Sequence, residues 1–522
     1  MTPRGASSSP ALLVEPKSVI FRPDAQALRT LTGQMSQARL TEFDNYNVTT
    51  RVLSRSKRST FVVDDDKTRH SGPCISREEA ARVAKMQDDF IRQRDMIVVD
   101  GYIGNDPEFR TPTRLIMEKA NANIAAMQQL LYYPLDPTGS SSFTPELTVI
   151  YTPNLRADGY PDERLIACDL DQRVTRVLHS DYFGESKKGG LRMWNDLVYR
   201  RGGLPLHAGL KVIPVGDRQR VFLIVGLSGT GKTTTTFTRQ NDSRPVQDDF
   251  VAWMPNGRTY ATENGCFAKT FGLSVKDEPT IHHAVSCRES YLENVSMNGA
   301  GKVDFFDESY TQNGRAVIRM EDIDGALDAR EAGRAEVLLI LNRNENVIPA
   351  VCRLDARHAA AFFMLGETQG TAAGGADEAG KALRIPGTNP FFPMLHAQQG
   401  NRFLELMERN PLEVYVMNTG RVGGPATDER SEKVRIGHSS AIVKALAEGT
   451  IEWERDPDFG YEVAARVPGI DAKDAGVLNP RKLYHGQGRK EEYAKHVERL
   501  HQERRQYLRT WPGLNEEIVN AL

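Results

Sequence analysis

Eight residues, Gly226-Leu227-Ser228-Gly229-Thr230-Gly231-Lys232-Thr233, fill the pattern G-x-x-x-x-G-K-[ST], directly behind the apolar run Val221-Phe222-Leu223-Ile224-Val225 and ahead of a threonine-rich stretch. The run reads as a buried parallel strand. The glycines let the following backbone curl so that successive N–H groups point inward at phosphate oxygens. Lys232 is then placed to reach β- and γ-phosphates, and the Thr233 hydroxyl to ligate Mg2+ at the positive end of the next helix. The alternative is a glycine-rich strand-to-helix turn that binds nothing; the flanking strand and the Lys-Thr pair together favour nucleotide binding. A phosphoryl-transfer or nucleotide-driven enzyme is the starting expectation.

With 522 residues the chain has room for two or more domains and a sizeable core. Lys+Arg 67 against Asp+Glu 69 leaves a formal charge of -2. No overall basic field draws it to nucleic acid or anionic lipid, so small polar metabolites are the expected partners. The five cysteines, Cys74, Cys168, Cys266, Cys287 and Cys352, lack CxxC spacing. That argues against a disulfide framework or a zinc cluster and fits a reducing cytoplasm. No stretch approaches the roughly 18 apolar residues of a membrane span, and the N-terminus lacks the apolar core of a signal peptide. Residues 1–16, rich in Ser and Pro, are expected to fray; without an amphipathic pattern their Arg and Ser content does not make a transit peptide.

No repeat with a period of roughly 20 to 50 residues is visible, which speaks against a solenoid or propeller. The chain reads as a mixed α/β protein. Ser76 to Arg94 reads as a charged helix, Met96 to Asp100 as a strand, Thr113 to Leu131 as a longer helix, and Leu147 to Tyr151 as another strand. Gly202-Gly203-Leu204-Pro205 is a breaker cluster, and a domain boundary is placed there, giving 1–203 and 204–522. Beyond it, strand-like runs at Val221 to Val225, Val246 to Trp253, Val337 to Leu341 and Val414 to Met417 predict a nucleotide-binding sheet covered by helices. Residues 369–387, rich in Gly and Ala, suit a mobile lid or a plain insertion. The densely charged run Arg489 to Arg509 has helical periodicity and reads as a solvated helix face.

Asp248 and Asp249 stand at the head of Phe250-Val251-Ala252-Trp253. Alone such a pair is usually a solvated turn; behind a P-loop lysine it favours metal binding. The string Tyr182-Phe183-Gly184-Glu185-Ser186-Lys187-Lys188-Gly189 combines an aromatic hydroxyl, paired lysines and glycines, although a Lys-Lys pair is normally a surface feature. His207, considered singly, reads as a satisfied core histidine. Arg55 lies in a basic loop that could grip a carboxylate or simply be solvated.

Read together, the P-loop string extended through Thr234, the Asp-Asp pair, Glu263-Asn264-Gly265-Cys266-Phe267-Ala268-Lys269-Thr270, Tyr182 to Gly189 and Asn418-Thr419-Gly420 resemble the ATP-dependent phosphoenolpyruvate carboxykinases. The order and approximate spacing agree from about Thr49 to about Ala447. The resemblance implies a two-domain carboxykinase-like α/β fold, with a substrate-side N-terminal domain and a P-loop C-terminal domain. It also implies conversion of oxaloacetate and ATP to phosphoenolpyruvate, ADP and CO2, with Mg2+ and Mn2+ as cofactors. The GTP-dependent class carries a cysteine in its P-loop, where this chain has Thr230, so ATP is favoured.

By that resemblance Arg55 matches the arginine that holds the dicarboxylate and Tyr182 the substrate-side tyrosine. Lys188, His207 and Asp249 match the ligands of a transition metal, typically Mn2+, and Arg315 the arginine that stabilises the transferring phosphoryl group. A lysine ligates a metal only as the neutral amine, so Lys188 should have a lowered pKa. Lys269 and Glu278 match nucleotide-side positions, and Lys433 and Ser439 fall near the adenine pocket, where arginine and threonine are usual. Other departures are Ser54 and Lys57, where the family has glycine and proline around Arg55, and Phe250-Val251, where it has Glu-His after Asp249. The oligomeric expectation is a monomer or small homo-oligomer.

Overall fold

The computed structural model describes residues 12–136, 143–227, 229–370 and 381–522. The readings made for residues 1–11, for Ser228 and for positions 371–380 of the glycine- and alanine-rich stretch lie outside the described residues.

Among the described residues three larger sheets organise the chain. An eight-stranded sheet runs in the order Ser18–Phe21, Asp95–Ile103, Thr111–Glu118, Leu147–Thr152, Val174–Leu178, Leu165–Asp169, Thr60–Val63, Cys74–Ile75. A ten-stranded sheet is built from residues beyond 203, and its centre is Leu204–Val215, Arg218–Val225, Val337–Asn342 and Glu413–Asn418. The strand preceding the glycine loop is antiparallel to Leu204–Val215 and parallel to Val337–Asn342, whose partner Glu413–Asn418 is parallel again. These strands are apolar and covered on both faces, as parallel neighbours require. The five-stranded sheet takes strands from both sides of position 203: Tyr46–Val48 lies parallel to Tyr291–Glu293, beside Arg315–Arg319 and Gly265–Lys269.

Several expectations meet a different outcome. Thr113 to Leu131 is not one helix: Thr111–Glu118 is a strand, and the helix is confined to Ala122–Leu131. The strand is enclosed between two neighbours, so nearly every side chain in it is buried, and a two-sided buried strand has no period to distinguish it from a buried helix. Burial extends to Arg114, whose guanidinium pairs with Asp100 at 2.8 and 2.9 Å. Val246 to Trp253 is two strands, Arg244–Gln247 and Phe250–Trp253, broken at Asp248-Asp249. The helix Lys490–Arg509 does form with a solvated charged face, and Tyr493, Leu500, Arg504 and Leu508 are buried on its other face. The guanidinium of Arg504 is fully buried and bonds the Glu367 carboxylate. Ser76, by contrast, caps the helix Arg77–Ile91 by accepting from the Glu79 amide at 3.1 Å, close to where the sequence starts it.

The helix Gly184–Arg200 packs on the eight-stranded sheet and also touches Leu204–Val215 of the ten-stranded one. Its first turns therefore lie where the two sheets meet.

Candidate active site

Gly226 leaves the central strand with Thr230 Oγ1 and Leu341 Cβ at 2.4 and 2.9 Å from where a side chain would start, so nothing larger fits. Gly229 and Gly231 hold φ of 86° and 91°, a left-handed backbone that curls the loop before the helix Lys232–Phe237. At the other end of this helix the buried Lys211 amine donates to Thr235 O and Gln240 Oε1, both at 2.8 Å, and to Thr238 O. Burial lowers the Lys211 pKa to about 7.

The two aspartates diverge at the break between their strands. Asp248 turns to the loop, accepting from Thr233 Oγ1 at 2.8 Å and from the Cys266 thiol at 3.5 Å. Asp249 faces the opposite group. Its Oδ2 takes Lys188 Nζ at 2.5 Å and Lys187 Nζ at 2.7 Å, and its Oδ1 takes His207 Nε2 at 2.9 Å with Lys232 Nζ at 3.8 Å. Lys187 is thus buried and Lys188 half-buried, neither on the open surface, because the early turns of their helix enter the junction. His207 is also fixed by its Nδ1 on Thr388 O at 3.0 Å.

The two lysines share one carboxylate oxygen yet differ in charge. Burial lowers Lys188 to about 7, with the Asp249 charge opposing it. Burial works the same way on Lys187, but Asp249 and a second carboxylate, Glu263 at 2.7 Å, outweigh it and push that amine above the ordinary lysine range. Burial, then the Lys232 charge, lowers His207 to about 4. Burial would raise Asp249, but Lys187 and Lys188 hold it well below the carboxylate range. Burial raises Asp248. The cluster is a carboxylate facing an amine and an imidazole whose pKa values are both lowered, the donor types a borderline divalent ion takes. No group of three or more His, Cys, Asp or Glu among the described residues could hold a metal, so a metal here would depend on the Lys188 amine.

Around this cluster lies a cleft of about 400 Å3. Its lining brings together Arg55, Tyr182, Lys188, His207, Leu227, Gly229, Gly231, Lys232, Thr233, Thr234, Asp248, Asp249, Lys269, Glu278 and Arg315. The Arg55 loop is anchored by Glu185, which accepts from the Ser56 amide at 2.6 Å, and Asn313 Oδ1 orients the Arg315 guanidinium at 2.8 and 3.2 Å. Lys269 sits beside Arg315 across paired strands, and burial followed by that charge lowers it to about 8. Glu278 accepts from Thr234 Oγ1 at 2.6 Å. Tyr182 is buried, and its ring closes on Gly184, where a Cβ would lie 2.4 Å from it.

An adjoining cleft of about 170 Å3 shares Gly229, Gly231 and Thr234 and adds Thr230, Arg343, Thr419, Ile436 and Ser439. Lys433 does not join either lining; it is exposed on the short strand Glu432–Lys433.

Sequence reasoning singled out neither Glu263 nor Lys211 for a role, and it missed Glu293 and Phe391. Glu293 is fully buried, accepts from the Phe183 amide at 2.8 Å, and is raised by burial to about 8. The Phe391 ring lies 4.4 Å from Lys188 Nζ, while Phe250 lies 4.7 Å from it on another side. A buried charge has no sequence spacing, so no signal marked the glutamates; Phe391, in Asn389-Pro390-Phe391, is distant in sequence from every motif.

The class is that of a mixed α/β protein in which a strand, a glycine loop and a lysine-headed helix face a carboxylate shared by three further bases. A family model described as phosphoenolpyruvate carboxykinase matches residues 17–473. A phosphoenolpyruvate carboxykinase (ATP) of Rhizobium rhizogenes is 31% identical over 474 residues, covering 88% of this chain and 83% of its own. The protein of that name from Brevibacillus brevis is 30% identical over 471 residues, 86% and 85% of the two chains. The one from Caldanaerobacter subterraneus is 28% identical over 494 residues, 91% of each. The chain belongs to the ATP-dependent phosphoenolpyruvate carboxykinase family.

Proposed function

We propose that this chain decarboxylates and phosphorylates oxaloacetate with ATP, giving phosphoenolpyruvate, ADP and CO2, reversibly and in the gluconeogenic sense. The observation that carries the reading is the convergence of Lys188, His207 and Lys232 on Asp249, in one cleft with Arg55 and Arg315. Family membership supports it independently.

Arg55 and Tyr182 bind and orient the dicarboxylate, the guanidinium by its planar fork. The N–H groups of Gly229 and Gly231 and the Lys232 amine cradle the triphosphate, with Lys269 and Glu278 on the nucleotide side and the adjoining cleft, including Ser439, taking the adenine. Lys188, His207 and Asp249 would hold Mn2+, and Thr233 with Asp248 would hold Mg2+. When bound, these cations supply Lewis-acid stabilisation to enolate and phosphate oxygens. Loss of CO2 leaves an enolate whose oxygen must meet the γ-phosphorus in line, and Arg315 and Lys232 neutralise the charge spread over the transferring group. Two domains, 1–203 and 204–522, close on the cleft and exclude water. The protein works in the cytoplasm, as a monomer or small homo-oligomer, on small-molecule substrates.

The purified protein mixed with oxaloacetate, ATP, Mg2+ and Mn2+ should release phosphoenolpyruvate. ATP consumption only with another acceptor would point to a kinase on the same scaffold, and neither reaction to a nucleotide-binding regulator.

A further inference from the structure

The wall of the cleft made by Pro390 and Phe391 is tied to a distant loop. Beyond the strand Thr60–Val63, the loop of Asp64 to His70 reaches across to the segment Pro393 to His396. The His70 ring joins the two: its Nε2 lies 2.8 Å from Asp64 Oδ2 and its Nδ1 2.7 Å from the Pro393 carbonyl oxygen. Beside it the His396 amide donates to Ser71 Oγ at 2.9 Å.

The Pro393 carbonyl oxygen only accepts, so Nδ1 carries the hydrogen of that bond. Asp64 is held below the usual carboxylate range: partial burial opposes this, and the His70 hydrogen bond, the Asp66 amide and the Arg69 guanidinium at 3.1 Å outweigh it. The ring thus lies between a carboxylate and a backbone carbonyl, and its side chain is 5% exposed. Facing it across a cavity of about 300 Å3 are Asp171, Asp196, Tyr199 and Arg200, with Asp196 already paired to Arg200 at 2.7 Å.

Two residues before Pro393, the Phe391 ring lies 4.4 Å from Lys188 Nζ and 5.6 Å from the Arg55 guanidinium, and it meets the His207 ring edge-on at 5.8 Å between centroids. It therefore borders the residues assigned to oxaloacetate and none of those assigned to adenine.

We propose that His70 is a positioning residue for the oxaloacetate side of the cleft, its ring pinning Pro393 to Asp64 and thereby holding Phe391 against Lys188 and Arg55. The kinetic part of the test rests on the carboxykinase reading; the structural part does not.

The full-length His70→Ala protein should show a KM for oxaloacetate raised about tenfold, the worth of one charge-assisted hydrogen bond, with the KM for ATP within about twofold. Amide hydrogen exchange at residues 388–396 should quicken in the same variant without substrate. His70→Gln, whose amide can still donate to the Pro393 carbonyl, should recover part of both effects. Unchanged exchange at 388–396, or KM values for both substrates rising together, would overturn the proposal. Should His70→Ala not fold, Asp64→Ala removes the other end of the tie, and unchanged exchange at 388–396 there overturns it equally. If the unmodified protein makes no phosphoenolpyruvate the carboxykinase reading falls, and the exchange comparison still decides the role of His70.

Discussion

Asp249 accepts from two amines and an imidazole while a fourth base, Lys232, stands 3.8 Å away, so single substitutions around it have separable effects. Lys232→Ala should lower kcat by ~10³-fold with an unchanged melting curve, since the amine acts on charge that develops in the reaction. A variant turning over normally would remove Lys232 from the phosphate site. His207→Ala should weaken Mn2+ binding by at least about tenfold in a direct titration, with nucleotide affinity retained. Glu293 gives a pH-dependent stability. Its folded-state pKa is raised from 4.5 to about 8, chiefly by burial, so the folded protein holds a proton there that the unfolded chain has lost. Its contribution therefore declines as pH rises from about 4.5 to about 8. Glu293→Gln, neutral throughout, should gain on the unmodified protein across that window by a few kcal/mol, read from denaturant midpoints at each pH. Parallel midpoints would show that the carboxyl is ionised at neutral pH. None of this was legible for Glu293, because a glutamate at the end of Tyr291–Glu293 looks in sequence like any other strand-end charge.

Short apolar runs and helices with a clean cap are readable from sequence even where both faces are buried, as Leu147–Thr152 and Val337–Asn342 are. The strand before the glycine loop and the Ser76-capped helix fall where spacing puts them, because Gly, Pro and Ser mark their ends chemically. Thr111–Glu118 is misread because enclosure on both faces erases the period that separates strand from helix. The helix Lys490–Arg509 is read as a helix with a solvated face, but its buried charge is not legible: Arg504 is one of many charges in the run, and only the fold supplies Glu367 and the rings of Phe362 and Phe459, 4.8 and 5.7 Å from its guanidinium carbon. Arg504→Met should thus destabilise the protein by about 3 kcal/mol, since it strands a buried carboxylate, and adding Glu367→Gln should recover much of the loss. Denaturant melts of the single and double variants test this. Equal stability of the single variant and the unmodified protein would mean that Arg384, 3.4 Å from Glu367, suffices alone.

Across the whole molecule, the cleft was legible as a set of motifs, and their convergence was implied by the family resemblance and not by the spacing. Lys188 precedes position 203 in the chain, His207 and Asp249 follow it, and only the junction of two sheets puts them on one carboxylate. Ligands that occupy this junction should be felt by the entire fold. Mn2+ at a hundred times its Kd adds about 2.7 kcal/mol, and ATP with Mn2+ together should raise Tm by more than the separate shifts sum to. Strictly additive shifts in differential scanning fluorimetry would place the two ligands in uncoupled sites. The thiol of Cys266, seated against Asp248, carries one last implication. Burial raises it well above the ordinary thiol range, and it likewise raises the buried Cys168 to about 11 and Cys352 to about 12. Electrophiles attack thiolates, so maleimides and peroxide will find these sulfurs inert at neutral pH. Labelling will fall on the partly exposed Cys74 and Cys287, which makes Cys74, paired beside the strand that leads to Asp64, a handle for a fluorophore that leaves the reaction chamber untouched.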